Sequence, residues 1–433
     1  MTRLLSILLF SIFLFSGCTQ PIDDRTIVTV WTLQMGDFAP YMNSVIAEYE
    51  ATHKNIKINW VDVPFSEGEK RTLAAVLGDT PPDLINLNPD FSALLAQRGA
   101  LEKIPSKYVD DFSSQIIDSL KYEGVLYSIP WYATSSVTFV NKDLLKKTEI
   151  GKTEPAVKKV RKWVSAYRFK LVDMKYDKVV NEIPLSYTQM NNYAVSVKKM
   201  SGAYIYTPNL VENDTMLRIL NKYGVNSPET INSEWAVRLL EQYRELYQNG
   251  ALPPETIAIT HREALEQYMA GKSVFFQAGA NFLNMLKENS PEVYKATMVK
   301  PQLMGSKGMY DFALMNFVIP VKAKNKKEAL EFCLFLTNSE NQLKLAKLTN
   351  VIATNNVALG SGFYNDYSTL QGQARSISAK QLHKLLPVRQ TKNQKELNYL
   401  VNTAVQKILT SKENKTQEIL DKLAEDWALL ITK

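Results

Sequence analysis

The sequence predicts an α/β protein whose sheet is parallel and covered by helices. Two observations carry this reading. From Ile27 onward, short runs alternating every second residue are interleaved with apolar stripes at helical spacing, in the order strand, helix, strand, helix, strand. The chain also has 433 residues, 45% of them hydrophobic and 10% aromatic, enough for two domains each with its own core.

The elements follow in order. Ile27–Trp31 alternates as a strand, and Met42, Val45, Ile46 and Tyr49 form a helical stripe. Ile56–Val63 is again strand-like, and Leu73, Val76 and Leu77 mark the next helix. Asp79-Thr80-Pro81-Pro82 turns the chain into the buried strand Asp83–Leu87. Asn88 is a fit N-cap and Pro89 a fit first residue for a helix running to Gly99. In open parallel sheets ligands lie beyond the carboxyl ends of strands, where such helix starts are found, so Asn88 and Asp90 are cleft candidates. A turn and strand over Glu123–Tyr132 feed the strand Ser136–Asn141. A second alternating unit comprises Tyr204–Tyr206, helices carrying Met216, Leu217 and Leu220 and then Trp235 to Leu246, the helix His261–Met269, and the strand Val274–Gln277. Phe317–Ile319 is a strand, Ala329, Leu330, Cys333 and Leu336 share a helix face, and two helices close the chain at Leu397–Ile408 and Ile419–Leu430.

The N-terminus predicts export. Arg3 precedes the apolar run Leu4–Phe15, whose roughly twelve residues fall short of the roughly twenty that span a bilayer but suit a secretory signal. Ser16-Gly17-Cys18 resembles a bacterial lipobox, in which the cysteine is diacylated and becomes the new N-terminus. Two acyl chains suffice for stable attachment. The expected organisation is therefore a signal peptide over 1–17, with lipid on Cys18, and a tether over 18–25. Cys333 is left without a cysteine partner and reads as a small core hydrophobe.

The formal charge of +7 is concentrated in one place. Lys142–Asn181 holds ten Lys and two Arg against five acids, so the rest of the chain is neutral in sum and no nucleic-acid groove is indicated. The three histidines, His53, His261 and His383, are far apart and have no metal-ligand spacing, and no nucleophile elbow or phosphate-cradling glycine loop occurs. An exported glycoside hydrolase would need two carboxylates about 5 to 10 Å apart. Asp83, Asp90, Glu123 and Asp311 are available only singly.

Several stretches, in order, resemble the large sugar-binding family of extracytoplasmic solute-binding proteins of ABC importers, which includes maltodextrin-binding proteins. They are Trp60–Phe65, Thr80–Pro89, Tyr127–Tyr132, Asn141–Leu144, His261–Leu265, Gly271–Val274, Ala329–Phe332 and Leu336–Gln342. The resemblance implies a two-lobed clamshell with hinge crossings and the ligand between the lobes. It places lobe one at 26–133 and 316–351 and lobe two at 134–315 and 352–433, with crossings near 134–136, 314–317 and 352–355. The counterpart of the family's Pro-x-Thr-Trp-like helix start is Pro184–Met190, displaced by an extra basic segment over 152–182 that reads as a surface excursion. The resemblance implies an ABC permease as partner, a monomer, no enzymatic activity and no cofactor.

A sugar presents hydroxyls at its rim and C–H faces, so its site needs aromatic plates and planar hydrogen-bonding groups. Candidates at strand ends or helix starts are Trp31, Gln34, Asn88, Asp90, Trp131, Tyr132, Asn209, Asn281, Phe282, Asn316 and Arg375. Trp131 is the foremost, since it precedes the first expected crossing and matches an aromatic of the family's motif. Arg375 would favour a phosphate if it faced the cleft. The expected function is capture of a mono- or oligosaccharide and its delivery to the permease. The alternatives are the hydrolase and a surface or sensory clamshell without a transport role.

Overall fold

The computed structural model describes residues 24–33, 38–150, 183–386 and 393–432; Cys18, Gln34 and the basic segment 152–182 lie outside them. The first run of elements is β1 (Thr26–Leu33), α1 (Ala39–Thr52), β2 (Ile56–Val63), α2 (Phe65–Leu77), β3 (Leu84–Leu87) and α3 (Pro89–Gln97). A small hairpin, β4 (Lys121–Tyr122) and β5 (Val125–Leu126), leads to β6 (Ile129–Thr134) and β7 (Ser136–Asn141). Next come α4 (Tyr187–Ser201), β8 (Tyr204–Tyr206), α5 (Thr215–Asn221), α6 (Glu234–Gln248), α7 (His261–Met269), β9 (Ser273–Gly279), α8 (Phe282–Asn289) and β10 (Thr297–Lys300). The last run is β11 (Ala313–Val318), α9 (Lys326–Thr337), α10 (Ser339–Thr349), β12 (Ile352–Ala353), α11 (Leu370–Gln381), α12 (Gln394–Thr410) and α13 (Thr416–Thr432).

These strands form two principal sheets. The first has the order β12-β6-β11-β3-β1-β2 and the second β10-β7-β9-β8. β2, β1 and β3 are parallel, as the alternation of strands and helices predicts, but β11 runs antiparallel to both β3 and β6, so the sheet is mixed. The helices start where their capping chemistry allows. The Asn88 side chain accepts from Phe91 N at 2.8 Å, and Thr260 and Glu263 close a reciprocal capping box on α7. Asp83, almost fully buried, accepts backbone N–H bonds from Thr29, Lys324 and Asn325 at 2.8 to 3.1 Å, locking β1 and β3 to the start of α9.

Each sheet has apolar cores of its own. Tyr41, Met42, Val45, Tyr49, Phe332, Cys333 and Leu336 cover one face of the first sheet. Val76, Phe91 and Leu95 cover the other, while Leu77 faces solvent instead of joining its expected stripe. Burial raises the Cys333 thiol far above its ordinary pKa, in keeping with a packed hydrophobe. On the second sheet, α4, α6, α12 and α13 bury Met190, Tyr243, Val401 and Trp427.

The sheets pass the expected crossings. β11 enters the first sheet at Ala313, with a register shift at Met315 and Asn316 that skips Trp131 of β6, so Leu314–Phe317 is sheet rather than connection. β12 pairs Ile352 with Ala133, which puts it in the first sheet as well. The connections between sheets are Ser135, the segment 301–312, and the chain following Ala353.

This arrangement corrects the assignment of Trp131. β6 lies between β11 and β12 and is covered on both faces, so Trp131 is 0% exposed, with its ring 4.5 Å from Phe317 and in edge contact with Tyr132. Tyr132 is 6% exposed and meets Phe38, which also lies against Trp131. Both are core residues here, not open plates for a sugar. Truncating a buried aromatic removes its burial and leaves a cavity. Trp131→Ala is therefore expected to lower the unfolding free energy in urea by about 3 to 5 kcal/mol. A loss below about 1 kcal/mol would show the ring to be exposed in solution.

Candidate functional site

Strand register fixes where the lobes face each other. In the second sheet, Ser136 at the start of β7 pairs with Gly279 at the end of β9, and β8 runs parallel to β9. The carboxyl ends of β8 and β9 therefore lie beside the first connection, as does the end of β10, where Lys300 pairs with Thr138. In the first sheet, Thr134 at the end of β6 pairs with Ala313, and Leu87 at the end of β3 pairs with Asn316. The carboxyl ends of β1, β2 and β3 thus share the border that the connections cross. This is the edge at which α/β sheets offer helix N-termini and loop side chains to a ligand.

From the first lobe this edge presents Asn88 and Asp90. The Asn88 Oδ1 is committed to its cap, and Asp90 in the first turn of α3 is exposed. Although water reaches it, surrounding protein desolvates Asp90 enough to raise its carboxyl pKa; Arg218 opposes that rise, and Asp214 and Glu69 add to it. A group that is wet yet hemmed in by protein is a group in a cleft. Arg218 and Asp214 belong to the second lobe, at α5. Desolvation works against the Arg218 charge, but Asp214, Asp311 and Asp90 outweigh it and hold the guanidinium above its ordinary value. Its Nε lies 2.7 Å from Asp214 Oδ2. Asp90 and Arg218 thus come from opposite lobes to the same border, where the charge of each acts on the other.

The second lobe's edge is built around Gln277 and Glu212. The Gln277 amide donates to the Tyr187 hydroxyl at 2.7 Å and accepts from Leu303 N at 2.9 Å. Glu212 accepts from Asn209 Nδ2 at 2.6 Å and from His261 N at 2.7 Å, joining the loop after β8 to the start of α7. Tyr187, Thr207, Asn209, Thr215 and Gln277 line a cavity of about 50 Å³, which has room for water but not for a sugar ring. Burial drives the Tyr187 phenol far above its ordinary pKa, so it stays protonated as a donor.

The remaining candidates divide. Asn209 is half-buried beside Glu212 at the edge. Asn281 is exposed just past β9 with its side chain over Gly279, and the half-buried Phe282 ring lies 5.4 Å from His261. Trp31 is half-buried in β1 under the Arg71 guanidinium, 4.9 Å from its ring centre. Asn316 does not reach the cleft: it is 0% exposed, its Nδ2 donates to Ser92 Oγ at 2.8 Å, and its carbonyl accepts from Asn86. Arg375 is likewise consumed. Its Nε donates to Phe363 O at 2.9 Å, its NH2 group pairs with Asp366 at 3.2 Å, and it stacks on the Phe363 ring, which removes the phosphate-binding role considered for it. Sequence reading missed Arg218, Asp214 and Gln277. The position of Arg218 one turn into the helix that follows β8 was the available signal.

No helix among the described residues is long and apolar enough to cross a membrane, and no cluster of three metal-ligating side chains occurs among them. Comparison with known proteins places this geometry. The galactooligosaccharide-binding protein of Bacillus subtilis is 23% identical over 396 residues, covering 89% of this chain and 85% of its own. The mannitol-binding protein of Pseudomonas aeruginosa is 22% identical over 329 residues, covering 72% and 69%. Among solved structures, a Synechococcus sp. MITs9220 protein described as an oligosaccharide periplasmic-binding protein superposes with a TM-score of 0.78 at 25% identity, over 94% of this chain and 99% of its own. The sugar-binding protein MalE of Xanthomonas citri gives a TM-score of 0.74 at 16% identity, over 94% and 98%. The two sheets joined by crossing segments are thus the two-lobed fold of these proteins. The family model for bacterial extracellular solute-binding proteins matches residues 44–372, and this chain belongs to that family.

Proposed function

We propose that this protein is a lipid-anchored receptor that captures a mono- or oligosaccharide between its lobes and hands it unaltered to an ABC permease. The observation that carries the reading is the strand register that brings the carboxyl ends of strands from both lobes to one border, where Asp90 and Arg218 supply charged groups from opposite sides. A planar carboxylate and a guanidinium can together accept from and donate to vicinal hydroxyls, and only closed lobes bring both to one ring. Trp31, Asn88, Asn209, Asn281 and Phe282 are proposed as the further contacts of this cleft. The galactooligosaccharide-binding and mannitol-binding relatives support a polyhydroxyl ligand.

A carrier without chemistry is favoured over a hydrolase by the state of two of the four candidate carboxylates. Asp83 is taken up by three backbone N–H groups, and Asp311 is paired with Lys222 at 3.0 Å. The lipid-anchored form rests on Ser16-Gly17-Cys18, with an exported receptor tied to the membrane by the tether before β1.

A ligand that binds only the native state raises stability by mass action, by about 2.7 kcal/mol at a hundredfold excess over Kd. A thermal-shift screen of mannitol, galactooligosaccharides and maltodextrins is expected to yield at least one stabilising sugar, recovered intact afterwards. Hydrogen bonds to charged groups contribute about 1.5 to 3 kcal/mol, so Asp90→Ala and Arg218→Ala should each weaken that sugar about tenfold or more by calorimetry. Wild-type affinity in both variants would remove the cleft assignment, and released product would replace the receptor by an enzyme. Cys18→Ala is expected to move the protein from the membrane to the soluble fraction of the native cell. Continued membrane retention of that variant would reject lipid anchoring.

A further inference from the structure

Lys222, directly after α5, is fully buried. Its ammonium has three N–H donors and meets three acceptors: Gln302 Oε1 at 2.7 Å, Leu303 O at 2.7 Å and Asp311 Oδ2 at 3.0 Å. All three belong to the segment 301–312 that connects β10 of the second sheet to β11 of the first. The same segment grips the Lys222 backbone. Lys307 N donates to Lys222 O at 3.0 Å, and Gly305 approaches so closely that any side chain there would collide with that carbonyl.

From Gln302 the network reaches the other connections. Its Oε1 also accepts from Asp311 N at 2.8 Å, and its own N–H donates to Gln381 Oε1 at 2.6 Å. Gln381 Nε2 in turn donates to Ser135 Oγ at 2.9 Å and Ser136 O at 3.0 Å. Ser135 is the single residue between β6 and β7, and Gln381 closes the helix α11 that follows the third connection. Ser135, Gln302 and Gln381 are 7%, 4% and 2% exposed, so one buried polar hub ties together the segments about which the lobes turn.

The hub's cation stands at one end of a stripe. Asp214, Arg218 and Lys222 follow at intervals of four, which aligns them along one face of α5. Arg218 is half-exposed at the cleft, where Asp90 of the opposite lobe acts on it, and Lys222 is at the hinge. A neutral side chain could fill the Lys222 position at a lower cost of desolvation, so a buried charge here needs a reason beyond packing.

We propose that the stripe Asp214–Arg218–Lys222 couples the cleft to the hinge: a ligand or lobe contact at Arg218 displaces α5, and Lys222, as the positioning residue, passes that displacement to the connecting segments. A two-turn helix moves as a body, and interlobe hinges are a few residues that absorb the change. The proposal rests on the two-lobed receptor reading but not on the identity of its sugar.

Hydrogen exchange by mass spectrometry on the ligand-free protein tests it. The amides of Gln302, Leu303, Lys307 and Asp311 are all hydrogen-bonded and report directly on the hub. Arg218→Gln, a change at the half-exposed end, is expected to speed exchange at least threefold in 301–312 and 134–137, far from the substitution, and Arg218→Lys should restore most of the protection. Lys222→Met with Asp311→Asn, which removes the pair without leaving a lone buried charge, should speed the same segments and make Arg218→Gln silent when added. Exchange that changes only within 214–222 in Arg218→Gln, or effects that simply add, would overturn the coupling. If the double variant does not fold, the Arg218 pair alone decides. Because no sugar is used, failure of the sugar screen and failure of the coupling give separate results.

Discussion

A single residue separates the two sheets. β6 ends at Thr134 in the first and β7 begins at Ser136 in the second, so Ser135 is the whole of the first connection. With so short a joint, the end of β6 and the start of β7 must share one border, and register carries that constraint outward to every other strand. β9 and β8 are brought to the border through Gly279 opposite Ser136, and β3 through Asn316 opposite Leu87. The loops that leave those strands face one another because the joint leaves them no other place. Asp90 and Arg218, 128 positions apart in sequence, come to the same border for this reason.

The joint also dictates an uneven distribution of polarity. Away from the border, the two sheets are closed by apolar cores whose energetic contribution is ordinary burial of Leu, Val, Tyr and Phe. At the border, backbone leaves one sheet before it joins the next, and its N–H and C=O groups lose their ladder partners. Buried polar groups left unpaired are costly, so side-chain amides supply what the ladder does not. Gln302, Gln381 and Gln277 each bond backbone atoms of a connecting segment or its neighbour. Lys222 does the same with charge. Burial lowers its pKa, and Asp311 offsets that effect. A polar hinge inside apolar lobes can exchange hydrogen bonds as it turns, whereas an apolar contact would have to open.

The chain states its local structure plainly. Alternation over Ile56–Val63, the cap and proline at Asn88-Pro89 and the helical stripe around Cys333 all correspond to elements in the structure. Long-range packing is where reading the sequence alone stops. Trp131 looks like an open ring because the strands that cover it, 313–318 and 352–353, come from remote sequence. The bulge falls on Trp131 itself, the extra residue of β6 opposite Met315 and Asn316, and it breaks the alternation by which the faces of that strand would be read. Arg375 looks free until the fold brings Asp366 and Phe363 around it. Arg218, conversely, reads as one more surface helix residue, and only the fold, which sets it at the border between lobes among Asp214, Asp311 and Asp90, gives it a role. Local propensity is written in adjacent residues; burial and charge pairing are written in partners that the joint selects.

The central claim is that the two lobes close over a sugar bound at their shared border. Small-angle X-ray scattering of the protein with and without a saturating, stabilising sugar tests it most directly. Closure predicts a smaller radius of gyration and loss of the longest interatomic distances on adding sugar, with no change of mass. Superimposable curves at saturation would contradict it.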